Sequence, residues 1–259
     1  VISVKKELME PNKESVRIQQ EMSDGKGRSR VDLYSDLIIG RRGWSHLVFY
    51  EYVMLFFSWV PGALGLWLRQ IFYALLLKRC GRNVAFGTNV VLRHPHKIEI
   101  GDNVIIDDNC LIDAKGRTNT GIQIGSGTYI GRNSILSCKN GDIVLGNNVN
   151  IGFNCDVFSG SRVEIGDGVL VAAYCYFVGG DHDSDNAGAS VTEQGSTSHG
   201  VRVGEGAWFG AGAKVLDGHA VGAHAILGAG AIVTTDIPDY AVAVGAPARV
   251  IRDRRTPKA

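Results

Sequence analysis

An all-β fold, a parallel β-helix preceded by an N-terminal hydrophobic helical segment, is predicted by three observations. Apolar residues recur every six positions in short runs at Ile100, Ile106, Ile112, Ile124, Ile130, Leu136, Leu145, Ile151, Val157, Ile165 and Val171. After a break the pattern resumes at Val203, Phe209, Val215, Val221, Leu227 and Val233. A six-residue period fits neither the ~3.6 residues of a helical turn nor a hairpin sheet, but it suits a short strand and a turn on each face of a triangular coil. Second, each apolar residue stands four positions before a compact one, as at Val104, Thr128, Ser134, Val149, Ala207, Ala213, Ala225 and Ala231, where a corner leaves little room. Third, the intervening residues are rich in Gly, Asp and Asn, as in Gly101-Asp102-Asn103 and Gly146-Asn147-Asn148, which enter tight turns with positive φ at least cost. Stacked coils bury one aliphatic column and pair each strand with the next coil, leaving open edges only at the two ends.

The elements follow in order. Residues 1–43 are polar and mixed in charge, without apolar periodicity or the pattern of a signal peptide, and read as a tail. Residues 44–81 form a hydrophobic helical hairpin: Tyr52 to Leu68 carries no charge, and Pro61-Gly62 divides it into two arms. The uncharged stretch is at the lower limit for spanning a bilayer, and Arg41, Arg42, Lys78, Arg79 and Arg82 make both flanks basic. Two readings stay open, a hairpin lying on the cytoplasmic face of a membrane or a cap on the end of the β-helix. The β-helix occupies residues 82–238, interrupted by a loop at 179–202, and a C-terminal segment fills 239–259. With 27 basic and 26 acidic residues nothing in the composition suggests a nucleic-acid partner. The five cysteines lack metal-ligand spacing; Cys110, Cys155 and Cys175 fall on corner positions, where a thiol packs as a compact apolar group and implies a reducing, cytoplasmic compartment.

The repeat, and above all the run VGEGAWFGAGAKVL…ILGAGAIVTTDIPDYAVAVGAPARVIR, resembles the left-handed β-helix acyltransferases, in particular the sugar O-acetyltransferases of the maltose, galactoside and xenobiotic acetyltransferase type. The resemblance extends from about Arg82 to Arg252. It implies a left-handed coil, acetyl-CoA as acyl donor, a saccharide acceptor (nucleotide- or lipid-linked, as in surface polysaccharide synthesis), and a homotrimer with clefts shared between subunits. It implies no metal.

The break in the repeat is where chemistry is expected, because loops on a rigid scaffold carry function. There His182 stands between Asp181 and Asp183. A sugar hydroxyl attacks a thioester only as a base removes its proton, and imidazole titrates near neutrality. The resemblance puts the catalytic histidine of the family at His182; Asp181, Asp183 or Asp185 are candidates to orient it, Asp183 first among them. Asn154 matches an acceptor-pocket asparagine that orients the hydroxyl or steadies the oxyanion, although a turn asparagine reads the same way. For the donor, Gly210, Ala211 and Ala229 allow a pantetheine arm to approach the backbone, and Trp208 matches a channel wall. The same comparison assigns Thr234 and Thr235 to the cofactor, with Thr235 where relatives carry Lys, while Ala246 and Pro247 flank the adenine and Arg249 and Arg252 meet the phosphates. His219 is expected to be buried with a hydrogen-bond partner. Three further readings stand beside this one. They are N-acylation of an amino sugar, a zinc site of the γ-class carbonic anhydrase kind built from His182, His219 and His224, and a scaffold without catalysis.

Overall fold

The computed structural model describes residues 29–256. Residues 1–28, which hold most of the expected tail, lie outside the described residues. The hexapeptide pattern becomes a prism of three sheets with seven, nine and seven strands, parallel throughout except for the ninth strand of the second sheet. Face A runs from Arg79–Cys80 through Ile98–Ile100, Ile122–Ile124, Asp142–Leu145, Arg162–Ile165 and Val201–Val203 to Ala220–Val221. Face B runs from Ala85–Phe86 through Ile105–Ile106, Tyr129–Ile130, Asn150–Ile151, Leu170–Val171, Trp208–Phe209 and Ile226–Leu227 to Ala241–Val244. Face C runs from Val91–Arg93 through Leu111–Asp113, Ile135–Cys138, Asp156–Ser159, Tyr176–Gly179 and Lys214–Val215 to Ile232–Val233. Parallel stacking thus continues from Arg79 to Val244.

The alternation expected of each strand is realised. Ile100, Ile106, Ile112, Ile151, Val157, Phe209 and Val233 all point into the axial column and are buried, with the compact corner residues Val104, Ser134, Val149 and Ala231 fully enclosed beside them. Corner hydroxyls and thiols donate to the next coil: Ser134 Oγ to the Gly152 carbonyl (3.1 Å), Cys155 Sγ to Ala172 (3.1 Å) and Cys110 Sγ to Gly131 (3.2 Å). Burial pushes the Cys110 thiol up to about 11, so this sulfur fills a corner and is no nucleophile near neutral pH. Positive φ is concentrated at fixed corner positions. Asn89, Asn109, Asn133, Asn154, Tyr174, Gly212 and Gly230 occupy one such column between faces B and C.

The helical hairpin forms where the apolar stretch predicts it, as α1 (Trp44–Phe57) and α2 (Gly62–Ala74). Pro61 ends the first arm because the residue before a proline is driven out of the α region. One side of the pair caps the N-terminal end of the prism. Val53, Phe57 and Tyr73 join the core, Tyr50 Oη donates to the Leu92 carbonyl (2.8 Å) and Tyr73 Oη to that of Val90 (2.9 Å). Arg69, only 1% exposed, donates from Nε to the Phe86 carbonyl (2.8 Å) and from Nη1 to those of Phe57 (3.1 Å) and Val60 (2.7 Å). A guanidinium fits there because the interrupted helix end leaves several carbonyls without intrahelical partners.

Two features depart from the sequence reading. The tail expected to reach residue 43 ends earlier: Arg30–Tyr34 is a short helix capped by Ser29, whose side chain accepts from the Asp32 N–H (3.1 Å), and Ser35–Ile39 continues as a π-helical turn. Ile39 is buried, and the His94 N–H donates to the Ile38 carbonyl (2.8 Å), so apolar residues among the charges suffice to dock this segment. At the other end Arg249–Asp253 turns back antiparallel onto Ala241–Val244 and covers the last strand of face B.

Candidate active site

The three edges of the prism differ in chemistry. Along the B–C edge the coils turn through Gly152-Phe153-Asn154, Ala172-Ala173-Tyr174, Gly210-Ala211-Gly212, Gly228-Ala229-Gly230 and Gly245-Ala246-Pro247. These five turns carry no carboxylate, amine, guanidinium or imidazole. They pack at backbone distance: a Cβ on Gly210 would lie 2.6 Å from the Ala229 amide nitrogen. The Gly212 N–H donates to the Ala173 carbonyl (2.9 Å) and the Gly230 N–H to that of Ala211 (2.8 Å). The amides of Ala211 and Ala229 donate to no acceptor among the described residues, which leaves them available at a surface of small side chains. Trp208, 47% exposed, stands on the outer side of face B between Leu170 and Ile226, just before this edge.

Asn154 belongs to the same edge and has φ +54, a left-handed corner that favours asparagine whether or not a ligand binds there. Its neighbours Phe153 and Tyr174 meet edge to face at 5.7 Å on the outside. Of the remaining donor candidates, Ala246 and Pro247 continue the B–C edge through a cis peptide bond, and Arg249 and Arg252 are exposed on the returning strand. Arg254 and Arg255 are engaged locally, by the His224 carbonyl and by Asp253 respectively. Thr234 and Thr235 do not join this set. They lie between Ile232–Val233 of face C and Ile237, which bridges to Val221 of face A, and so occupy the C–A edge.

The expected loop also leaves from the C–A edge, and it is ordered. Asp181–His182 pairs antiparallel with Ser196–Thr197, and between them lies one helical turn, Val191–Gln194, closed by a capping box of Ser190 and Glu193. Gln194 clasps the loop by accepting from the Asn186 N–H (2.8 Å) and donating to the Asn186 carbonyl (3.0 Å). His182 is exposed at this hairpin. Its backbone N–H donates to Asp181 Oδ1 (2.7 Å), but neither Asp183 nor Asp185 is hydrogen-bonded to its ring among the described residues. The orienting carboxylate expected at Asp183 is therefore not in place within the chain, because the side chains of successive strand residues leave on opposite sides.

Sequence reasoning missed a second imidazole–carboxylate pair. His199 Nδ1 lies 3.1 Å from Asp217 Oδ2, and Asp217, 5% exposed, also accepts from the N–H groups of His199 (2.8 Å) and Gly200 (2.8 Å). The signal was available only as an Asp one coil beyond the loop. His219, expected to be buried, is about a quarter exposed and faces Asp236 at 3.6 Å. His224 takes a corner with φ +55 between faces A and B, so His182, His219 and His224 do not converge within the chain. No group of three His, Cys, Asp or Glu side chains is arranged to hold a metal ion among the described residues.

The family described as hexapeptide repeat of succinyl-transferase matches residues 142–176 and 200–235, the coils on either side of the His182 loop. The matched coils are therefore hexapeptide repeats in sequence as well as in structure. The chain is 35% identical over 134 residues to a protein of Mycobacterium tuberculosis named as a probable acetyltransferase, over 52% of this chain and 45% of that one. It is 31% identical over 150 residues to the galactoside O-acetyltransferase of Lactococcus lactis, over 57% of this chain and 61% of the relative. The hexapeptide-repeat chain thus spans about half to three fifths of the length of these curated relatives. Among solved structures, a mutant of AntD, an N-acyltransferase from Bacillus cereus in complex with dTDP and coenzyme A, has the same fold. Its TM-score is 0.53 at 21% identity, over 78% of this chain and 92% of that one.

Proposed function

We propose that the protein is an acetyl-CoA-dependent O-acetyltransferase acting on a saccharide hydroxyl. One observation carries the reading. An exposed imidazole projects from an ordered insertion on the C–A edge, while small residues with unused amides line the B–C edge of the same coils. On one protomer face C separates the two. Its strand Tyr176–Gly179 has four residues, about 13 Å at strand rise. A cleft shared by two copies, the B–C edge of one against the C–A edge of the next, brings them together and is what a homotrimer supplies. The acetyltransferase names of the matched relatives support the donor assignment.

In that cleft the pantetheine arm lies along Gly210, Ala211 and Ala229, flanked by Trp208, with the nucleotide toward Ala246, Pro247, Arg249 and Arg252. Guanidinium groups there pair with phosphate. His182 takes the acceptor hydroxyl proton as the oxygen bonds to the thioester carbonyl carbon, and an amide such as that of Ala211 stabilises the oxyanion. Collapse breaks the carbon–sulfur bond, and the imidazolium returns its proton to the departing thiolate. Thr234 and Thr235, on the C–A edge, belong to the neighbouring copy's side of the cleft. An amine of an amino sugar is served by the same base, so O- and N-acceptors are assayed together.

The test is His182→Ala, assayed for thiol release against a panel of free, nucleotide-linked and lipid-linked sugars. Turnover falls by about 10²–10⁴-fold, with melting temperature and acetyl-CoA affinity unchanged. Turnover near that of the natural protein rejects the assignment.

A further inference from the structure

The helical hairpin buries one side against the prism and leaves the other unpartnered. Trp44 is 72% exposed, Leu55 65%, Leu75 63%, Leu64 62%, Trp59 61% and Trp67 57%. A helix apolar all round is ordinarily buried on every side, and a contiguous apolar surface of this kind marks a docking face. From this surface we infer that the outward face of α1 and α2 docks on an anionic lipid bilayer, lying in its interfacial plane.

Length decides the mode. Helices of 14 and 13 residues extend about 20 Å, short of the roughly 30 Å of a hydrocarbon core, and no helix among the described residues is long and apolar enough to cross a membrane. Both arms must therefore lie flat, with the capping side held to the prism by Arg69, Tyr50 and Tyr73. Charge decides the lipid. Arg41 and Arg42 precede the hairpin and Lys78 and Arg79 follow it, whereas its only acid, Glu51, receives the Tyr34 hydroxyl and its only internal cation, Arg69, faces the core. Arg42 pairs with Asp36 and Lys78 with Glu99, whereas Arg41 and Arg79 form no ion pair among the described residues, which leaves two cations flanking the hairpin for anionic headgroups.

The other occupants fit less well. Residues 1–28 mix six basic and five acidic side chains among eight apolar ones without a helical or strand period, so they offer no continuous apolar face to match it. A second copy docked hairpin to hairpin would bring the two cationic rims together.

The experiment is co-sedimentation of the full chain with phosphatidylcholine vesicles, with and without phosphatidylglycerol. Natural fluorescence is followed in parallel, since three of the four tryptophans lie on the hairpin. The natural chain partitions onto the phosphatidylglycerol vesicles at least about tenfold more than onto phosphatidylcholine alone, with a blue shift in emission. A Leu55→Glu, Leu64→Glu, Trp67→Glu variant loses that binding and keeps its melting temperature. If it melts early, Leu64→Glu alone replaces it, paired with Arg41→Glu to remove rim charge. The inference is overturned if the natural chain stays in solution with anionic vesicles or if the substituted chains bind as tightly as it does. It is equally overturned if the natural chain ignores vesicles while light scattering shows association that the substitutions abolish, which assigns the face to a second copy. Binding that appears only when residues 1–28 are removed assigns the face to that segment and likewise overturns the inference.

Discussion

The B–C and C–A edges are built from the same coils and do opposite things. From Gly152 to Pro247 the turns of the B–C edge pack at backbone contact with a column of positive φ, and from Gly210 onward they carry only small residues. The C–A edge is interrupted in coil after coil and holds five of the seven histidines, His94, His96, His182, His199 and His219. Regularity there would leave no space for chemistry, and irregularity on the other edge would break the close stacking that exposes backbone amides. Under the proposed function the repeat divides its tasks: one edge, fixed by sterics, would serve as the donor track, and the other, which tolerates insertion, would supply the reactive side chains.

The largest expected effect tests the steric edge. Gly210→Val places a Cβ 2.6 Å from the Ala229 amide nitrogen and 2.9 Å from the Gly228 carbonyl carbon, so the coils must separate. We expect a loss of about 3 kcal/mol in denaturant melts. At Gly212 the nearest atoms to an added Cβ are 3.9 Å away, and Gly212→Ala should cost only the strain of φ +72, about 1 kcal/mol. Equal losses at the two positions would mean that the track is not held by backbone packing.

A smaller effect belongs to the C–A edge. Burial, followed by the nearby charge of Arg41, holds the His96 ring down at about 4. The unfolded chain accepts a proton near the ordinary histidine value while the folded chain resists until about 4, so between these values the unfolded state binds more protons and stability falls as pH drops. After discounting for water at a half-buried ring, about 1 kcal/mol should disappear over this window and none above it. His96→Gln should flatten the thermal-melt profile there; an unchanged slope would assign it to other groups.

The smallest effect on stability is expected from the loop. The Asp183 N–H already donates to the Gly195 carbonyl (3.3 Å), so residues 184–194 can be replaced by Asn-Gly in a two-residue hairpin turn. Melting should move by no more than about 0.5 kcal/mol, because the coils beneath remain paired, while acceptor turnover collapses. A large loss of stability would join the two edges into one cooperative unit and end the contrast between them.

How much of this was legible depends on which rule governed each residue. Ile106, Val157, Val233 and their kin were readable because a corner and a column constrain side-chain volume at fixed intervals. The helical arms were readable from Pro61 and the uncharged stretch. The docking of Ile39 was hidden because a few apolar residues among charges have no period. The site was legible as parts only. Ala211 and His182 announced themselves, but their separation across face C is a property of where each corner falls in the coil, and that requires counting through the irregular excursions. His199 with Asp217 was invisible for the same reason, since the pair forms between a loop end and the next coil. Thr234 and Thr235 were grouped with the small-residue track by motif order, although a strand of face C lies between them.

The two lids have a consequence for the size of the molecule. A coil that stacks on its own kind has no intrinsic stopping point, and bare ends would template growth into a filament. Here the first coil meets a helical pair that offers no strand to extend, and the final strand of face B meets Arg249–Asp253 running the wrong way, with Arg249, Arg252, Asp253 and Arg254 clustered around it. Reversed direction and concentrated charge at one terminus, and a change of secondary structure at the other, turn an open-ended pattern into a particle of defined length.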